Sequence, residues 1–147
     1  MSESKQSQLA ILTFRLLDQF YALPIMNVIE VVAMMSLSQI PESPDAIVGM
    51  VNRHGEALPV LDLRLAFNLR TVPPDESTLF IVAQSENYQL GLIVDEIIQV
   101  KYIDESMIQE SHGAGRYITH IISDGQSLYQ QIDLQALLAN YLTPIQS

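Results

Sequence analysis

The stretch "RHGEALPVLDLR", Arg53 to Arg64, places a histidine and two carboxylates among apolar residues and between two arginines. His54, Glu56 and Asp62 are the residue types a small metal-dependent hydrolase uses to bind a metal, activate water and steady an anion. Two further histidines, His112 and His120, could extend such a site. Their spacing matches no known ligand pattern, and His54 and His112 stand in glycine turns, where histidine tolerates unusual backbone angles. His120 sits inside an apolar strand and reads as a satisfied or outward-facing residue. The carboxylate pairs Asp95-Glu96 and Asp104-Glu105 are adjacent, so in a strand they face opposite sides and cannot share a proton or a metal. The sequence has no nucleophile elbow, phosphate loop, H-E-x-x-H or dinucleotide fingerprint. Chemistry on His54, Glu56 and Asp62 is therefore the rival reading, and no cofactor or metal is expected.

Composition narrows the partners. The chain has 147 residues, 48% hydrophobic and 16% charged, enough for one domain or two closely packed small ones with a real core. A net charge of −10, with seven scattered basic residues, gives no face for phosphate backbones or anionic lipid. Nucleic acid and direct membrane insertion are excluded as expectations. The polar start "MSESKQSQ" lacks a signal-peptide profile, no apolar run is long enough for a span, and cysteine is absent. A cytoplasmic protein with protein or small-molecule partners is the expectation.

The elements that must position these residues are mostly strands. Residues 1–8 read as a disordered tail. "LAILTFRLLDQFYALPI" gives two strands turning near Asp18-Gln19, and Val28 to Leu37 gives a strand with Glu30 pointing out of it. "AIVGMVN" and "EALPVL" flank the His54-Gly55 turn, and Pro59 marks an edge or a bulge. A third hairpin turns at Ser85-Glu86-Asn87. The long run after it is expected to bend at Gly91. A fourth turns at Asp124-Gly125-Gln126, before an amphipathic helix in "DLQALLANYL". Met26, Met34, Met35 and Met50 cluster in the first third; most should fill the core, with one or two lining a groove.

An internal repeat explains one of the opening residues. "HGEALPVLDLRLAFN" and "DGQSLYQQIDLQALLAN" share a plan: a glycine turn at Gly55 or Gly125, a short strand, an aspartate, then a helical run. Asp62 and Asp133 each stand where a helix begins, where a carboxylate can accept from free backbone N–H groups. Leu63 with Phe67, and Leu134 with Leu138, then cover a barrel mouth. Asp62 is thereby architectural. Two similar β units, each plugged by a helix, make an all-β protein.

Together, "FYALPIMNVIEVV", "IVGMVNRHGEALPVLDLRLAF", "LGLIVDEIIQV" and "YITHIISDGQSLYQQIDLQALL" resemble the CheW-like family of chemotaxis adaptors, from about Leu9 to Leu142. The resemblance implies two intertwined five-stranded SH3-like barrels over residues 9–142, sharing one core, with short helices, one of them C-terminal, and a tail over 143–147. It implies a non-enzymatic scaffold joining the cytoplasmic tip of a methyl-accepting chemoreceptor to the regulatory domain of a CheA-type histidine kinase. Partner contacts would fall on Glu30 and on the hairpin of Asn52, Arg53 and His54. The family commonly has Asn-Leu-Arg-Gly here. Asn52 and Gly55 match that pattern, while His54 takes the arginine position and Arg53 the leucine position.

Overall fold

The structure, a computed structural model, describes residues 8–111, 113 and 115–142. Apart from Gln8, the expected tails lie outside these residues, and so does His112. Among the described residues eleven strands form two sheets. The first joins β1 (Leu9–Leu16), β2 (Gln19–Pro24), β8 (Glu96–Ile103), β9 (Ile108–Glu110), β10 (Ile118–Ser123) and β11 (Leu128–Ile132), in the order β8-β1-β2-β11-β10-β9. The second joins β3 (Val28–Ala33), β4 (Ile47–Arg53), β5 (Glu56–Asp62), β6 (Leu79–Ser85) and β7 (Tyr88–Val94), in the order β3-β6-β7-β5-β4. The sixth strand of the first sheet, beyond the five expected, is the three-residue β9. Helices α1 (Leu63–Ala66) and α2 (Leu134–Tyr141) follow β5 and β11.

Both sheets curl closed, as SH3-like barrels do. The outer strands of the first, β8 and β9, follow each other through a single 3-10 turn at Glu105–Met107. In the second, chain leaving β3 bonds the outer edge of β4 through Ser38 and Met50, with both N···O distances 2.8 Å. Closure leaves few free edge groups.

Central strands are apolar on both faces because each face meets a different core. Along β1, Ile11 joins a cluster inside the first barrel, while Leu12, Phe14 and Leu16 join a core shared with the second. Along β6, Phe80 and Val82 face the second barrel's interior and Ile81 and Ala83 the shared core. Alternation survives, but its polar phase is replaced by a second apolar one. Leu134, Leu137 and Leu138 of α2 and Leu63 of α1 sit in the shared core, with Phe67 packed on it.

Two local expectations change. The chain bends at Asp95, between β7 and β8, and not at Gly91. Gly91 lies within β7, and a Cβ there would stand 2.9 Å from Phe80 Cδ2. Its role is to admit that ring. β5 is an interior strand, between β7 and β4, so Pro59 marks no edge, although the β4–β5 register shifts next to it, between Ile47 and Gly49. Pro59 is tolerated because pairing with β7 begins only at Val60, so its missing N–H would have met no acceptor there.

Candidate functional site

The hairpin of β4 and β5 closes on two residues, with Arg53 opposite Glu56. His54 and Gly55 both have positive φ, +54° and +83°, the conformation of a tight hairpin turn that follows strand twist. Asn52 Oδ1 accepts from Gly55 N at 2.9 Å and holds the turn from its flank. Asn52 is thus a turn-stabilising residue with an exposed side chain. His54 stands at the tip, its side chain 75% exposed.

Glu30 departs from expectation. It lies opposite Val82 and shares its side of β3 with Val32, so it faces the barrel interior at the mouth. A register shift between Val28 and Glu30 marks a bulge there, and Ile29 and Val31 take the exposed side. Arg53 shares its side of β4 with buried Val51 and reaches the same mouth. Arg53 Nε donates to Glu30 Oε2 at 2.7 Å, with side-chain exposures of 15% and 41%. Arg53 is thus the half-buried partner of Glu30. His54 Nε2 lies 3.9 Å from the same carboxylate oxygen, beyond hydrogen-bond reach.

Asp62 and Asp133 both cap helices. Asp62 Oδ1 accepts from Arg64 N at 3.0 Å, and Asp133 Oδ1 from Ala136 N at 3.1 Å. Gly125 has φ +91°, in the turn before β11. The two copies differ in what else they hold. Asp62 is 1% exposed and receives both Nε and Nη2 of Arg64 at 2.9 Å, and Thr71 Oγ1 at 2.9 Å. Arg64 Nη1 continues to Asp95 Oδ1 at 2.8 Å, and Asp95 Oδ2 accepts from Leu17 N at 2.6 Å. Its hydrogen bond to Asp62, chiefly, holds the Arg64 guanidinium above its usual pKa. This buried network joins the end of β5, the crossing between sheets and the turn of the first barrel. Sequence reasoning missed it because Arg64 and Asp95 are 31 residues apart and no local pattern links them.

The same geometry separates the three residues of the rival reading. Glu56 and Asp62 stand at opposite ends of β5, roughly 20 Å apart at about 3.3 Å per residue, and His54 lies in the turn before Glu56. Both oxygens of Asp62 are already engaged. Among the described residues no three His, Asp or Glu side chains are grouped to hold a metal ion. His120 lies within β10, and its Nδ1 is buried with no hydrogen-bond partner among the described residues. Met26 is 83% exposed and lines an apolar groove of about 530 Å3 with Ile25 and Ile108, while Met34 packs on the second barrel's core.

A family model described as "CheW-like domain" matches residues 10–141. The chain belongs to the CheW-like domain family. Chemotaxis protein CheW of Treponema pallidum is 28% identical over 142 residues, covering 90% of this chain and 84% of its own. Chemotaxis protein CheW of Helicobacter pylori is 27% identical over 121 residues, covering 80% and 73%. The crystal structure of scaffolding protein TtCheW from Thermoanaerobacter tengcongensis aligns with a TM-score of 0.80 at 28% identity, covering 86% of this chain and 89% of that one. As a CheW-like protein the chain is a non-enzymatic chemotaxis scaffold, and a hydrolase on His54, Glu56 and Asp62 finds no support in its family or its geometry. Among the described residues no helix is long and apolar enough to cross a membrane.

Proposed function

We propose that this chain couples chemoreceptors to a CheA-type histidine kinase in the cytoplasm, and that the mouth of the second barrel supplies the polar part of the contact. Glu30, Asn52, Arg53 and His54 would meet the kinase's regulatory domain or the receptor's cytoplasmic tip. The observation that carries this reading is the Glu30–Arg53 pair beside an apolar strand face. Ile29 and Val31 are 45% and 40% exposed on β3, and Glu30 between them in sequence is held by Arg53. Exposed apolar area gives affinity, while a carboxylate fixed by a neighbour fixes register and excludes wrong partners. The Arg64 network holds the barrels' relative placement, so a partner meets a preformed surface.

Calorimetric titration of the full chain with an isolated CheA-type regulatory domain, and separately with a receptor-tip hairpin, tests the reading. Binding to at least one is expected, and Glu30→Lys should weaken it without loss of the thermal transition. Unchanged affinity in that variant for both partners would remove the barrel mouth from the contact.

A further inference from the structure

The two barrels meet over a ladder of aromatic rings. Phe14, Tyr21, Phe67, Tyr117 and Tyr141 follow one another with centroid separations of 6.1, 5.5, 6.1 and 6.2 Å. A cavity of about 460 Å3 opens onto this ladder, within the usual range of small-molecule sites. Its wall includes Tyr21 and Gln130 from the first barrel, Phe67 and Asn68 from the segment after α1, and Arg116 and Tyr117 from the approach to β10. None of these belongs to the barrel mouth assigned above.

The wall is prearranged. Tyr21 and Tyr117 are each 5% exposed, so their rings are held by packing. Gln130 Nε2 donates to Gln19 Oε1 at 2.7 Å, which orients the two amides at the rim.

The charge is unlike that of the rest of the molecule. In a chain of net charge −10, none of the described residues lining this cavity is acidic, and its one ionic group is Arg116. The guanidinium carbon lies 5.4 Å from the Tyr117 ring centroid, and among the described residues no carboxylate pairs with it.

Aromatic walls favour a ring, which can lie offset against another ring. A free guanidinium favours a carboxylate or phosphate, which it can bind with two parallel N–H donors. Amides at the rim can bond the heteroatoms of a planar ring. A cation would find no carboxylate among the described lining residues, and a small anion without a ring would leave the aromatic wall uncovered.

We propose that this cavity binds a small planar aromatic anion, a ring carrying one carboxylate or phosphate, with the ring against the partly buried Phe67 and the anion on Arg116. Because the wall draws on both barrels, occupancy also ties them together.

Isothermal titration of the full chain with indole-3-acetate tests the site, with tryptamine as the same ring bearing a cation and acetate as the anion without a ring. Indole-3-acetate should bind measurably below about 1 mM, and both controls at least about tenfold more weakly. Arg116→Gln should weaken indole-3-acetate by about tenfold or more, as expected for loss of a charge-assisted pair, while Arg116→Lys keeps part of the affinity. Arg116 is exposed, so both variants should melt as the parent does. No binding at 1 mM, equal binding of tryptamine, or an unchanged affinity in Arg116→Gln would each overturn the proposal.

Discussion

Glu30 and Arg53 are ion-paired at 2.7 Å although β3 and β4 are the two outermost strands of one five-stranded sheet. A flat sheet would hold them about four strand spacings, roughly 19 Å, apart. The pair therefore lies across the seam where the sheet closes, and joins the residue expected to meet partners to the residue that positions it. Half-exposed pairs contribute little to stability, so a double-mutant cycle with Glu30→Gln and Arg53→Gln should give a coupling below about 1 kcal/mol in urea denaturation. The same cycle measured on partner binding should give a larger coupling, because docking removes water from both groups.

His54 stands at the tip of the β4–β5 hairpin, and its Nε2 misses Glu30 Oε2 at 3.9 Å. Arginine is charged at every cellular pH and offers paired donors, whereas histidine gains its charge only on the acidic side. His54→Arg should tighten binding to a receptor tip that presents a carboxylate. Isotherms for the parent, His54→Arg and Glu30→Lys decide this, and three indistinguishable affinities would make His54 a turn residue alone.

Asp133→Ala should cost about 1 kcal/mol, the usual loss of a helix cap. Asp62→Ala should cost more, about 3–5 kcal/mol, because it also leaves the Arg64 guanidinium buried beside a single remaining carboxylate. Chemical denaturation of the two variants side by side measures the difference, and equal losses would show that the Arg64 network adds nothing to the cap.

Gly91→Ala should destabilise by about 1–3 kcal/mol, since its methyl would meet the Phe80 ring at 2.9 Å inside the second barrel. Adding Phe80→Leu should return part of that loss. If Gly91→Ala melts as the parent does, the ring has room to move.

Asp124 accepts from Lys101 Nζ at 2.8 Å and from the backbone of Ser127 and Gln126, and the lysine contact, chiefly, holds its carboxyl well below the usual carboxylate range. Its folded pKa lies under the unfolded value of about 3.9. The stabilisation it adds is therefore complete above about pH 4 and is lost as pH falls through the folded pKa. Lys101→Met should raise that pKa and reduce this acid dependence, as read from the carboxyl carbon shift in an NMR titration.

Residue order by itself determined most of the strands, the hairpin turns and the helix caps. The turn at His54-Gly55, the caps at Asp62 and Asp133 and the strand periods are local matters, settled by backbone angles and neighbours a few residues away. The family was legible too, since its motifs are short and stand in order. What only the tertiary structure decided is every relation across the seams. Glu30 was read as outward because strand alternation has two phases and sequence does not say which phase faces the barrel; a bulge after Val28 sets it. Arg64 and Asp95 read as separate charges because the chain between them is long, and only the crossing between sheets brings them to 2.8 Å. The bend moved from Gly91 to Asp95 for the same reason. Glycine permits a bend, but here the ring of Phe80 needed its space, and a carboxylate held by Leu17 N and Arg64 set the corner.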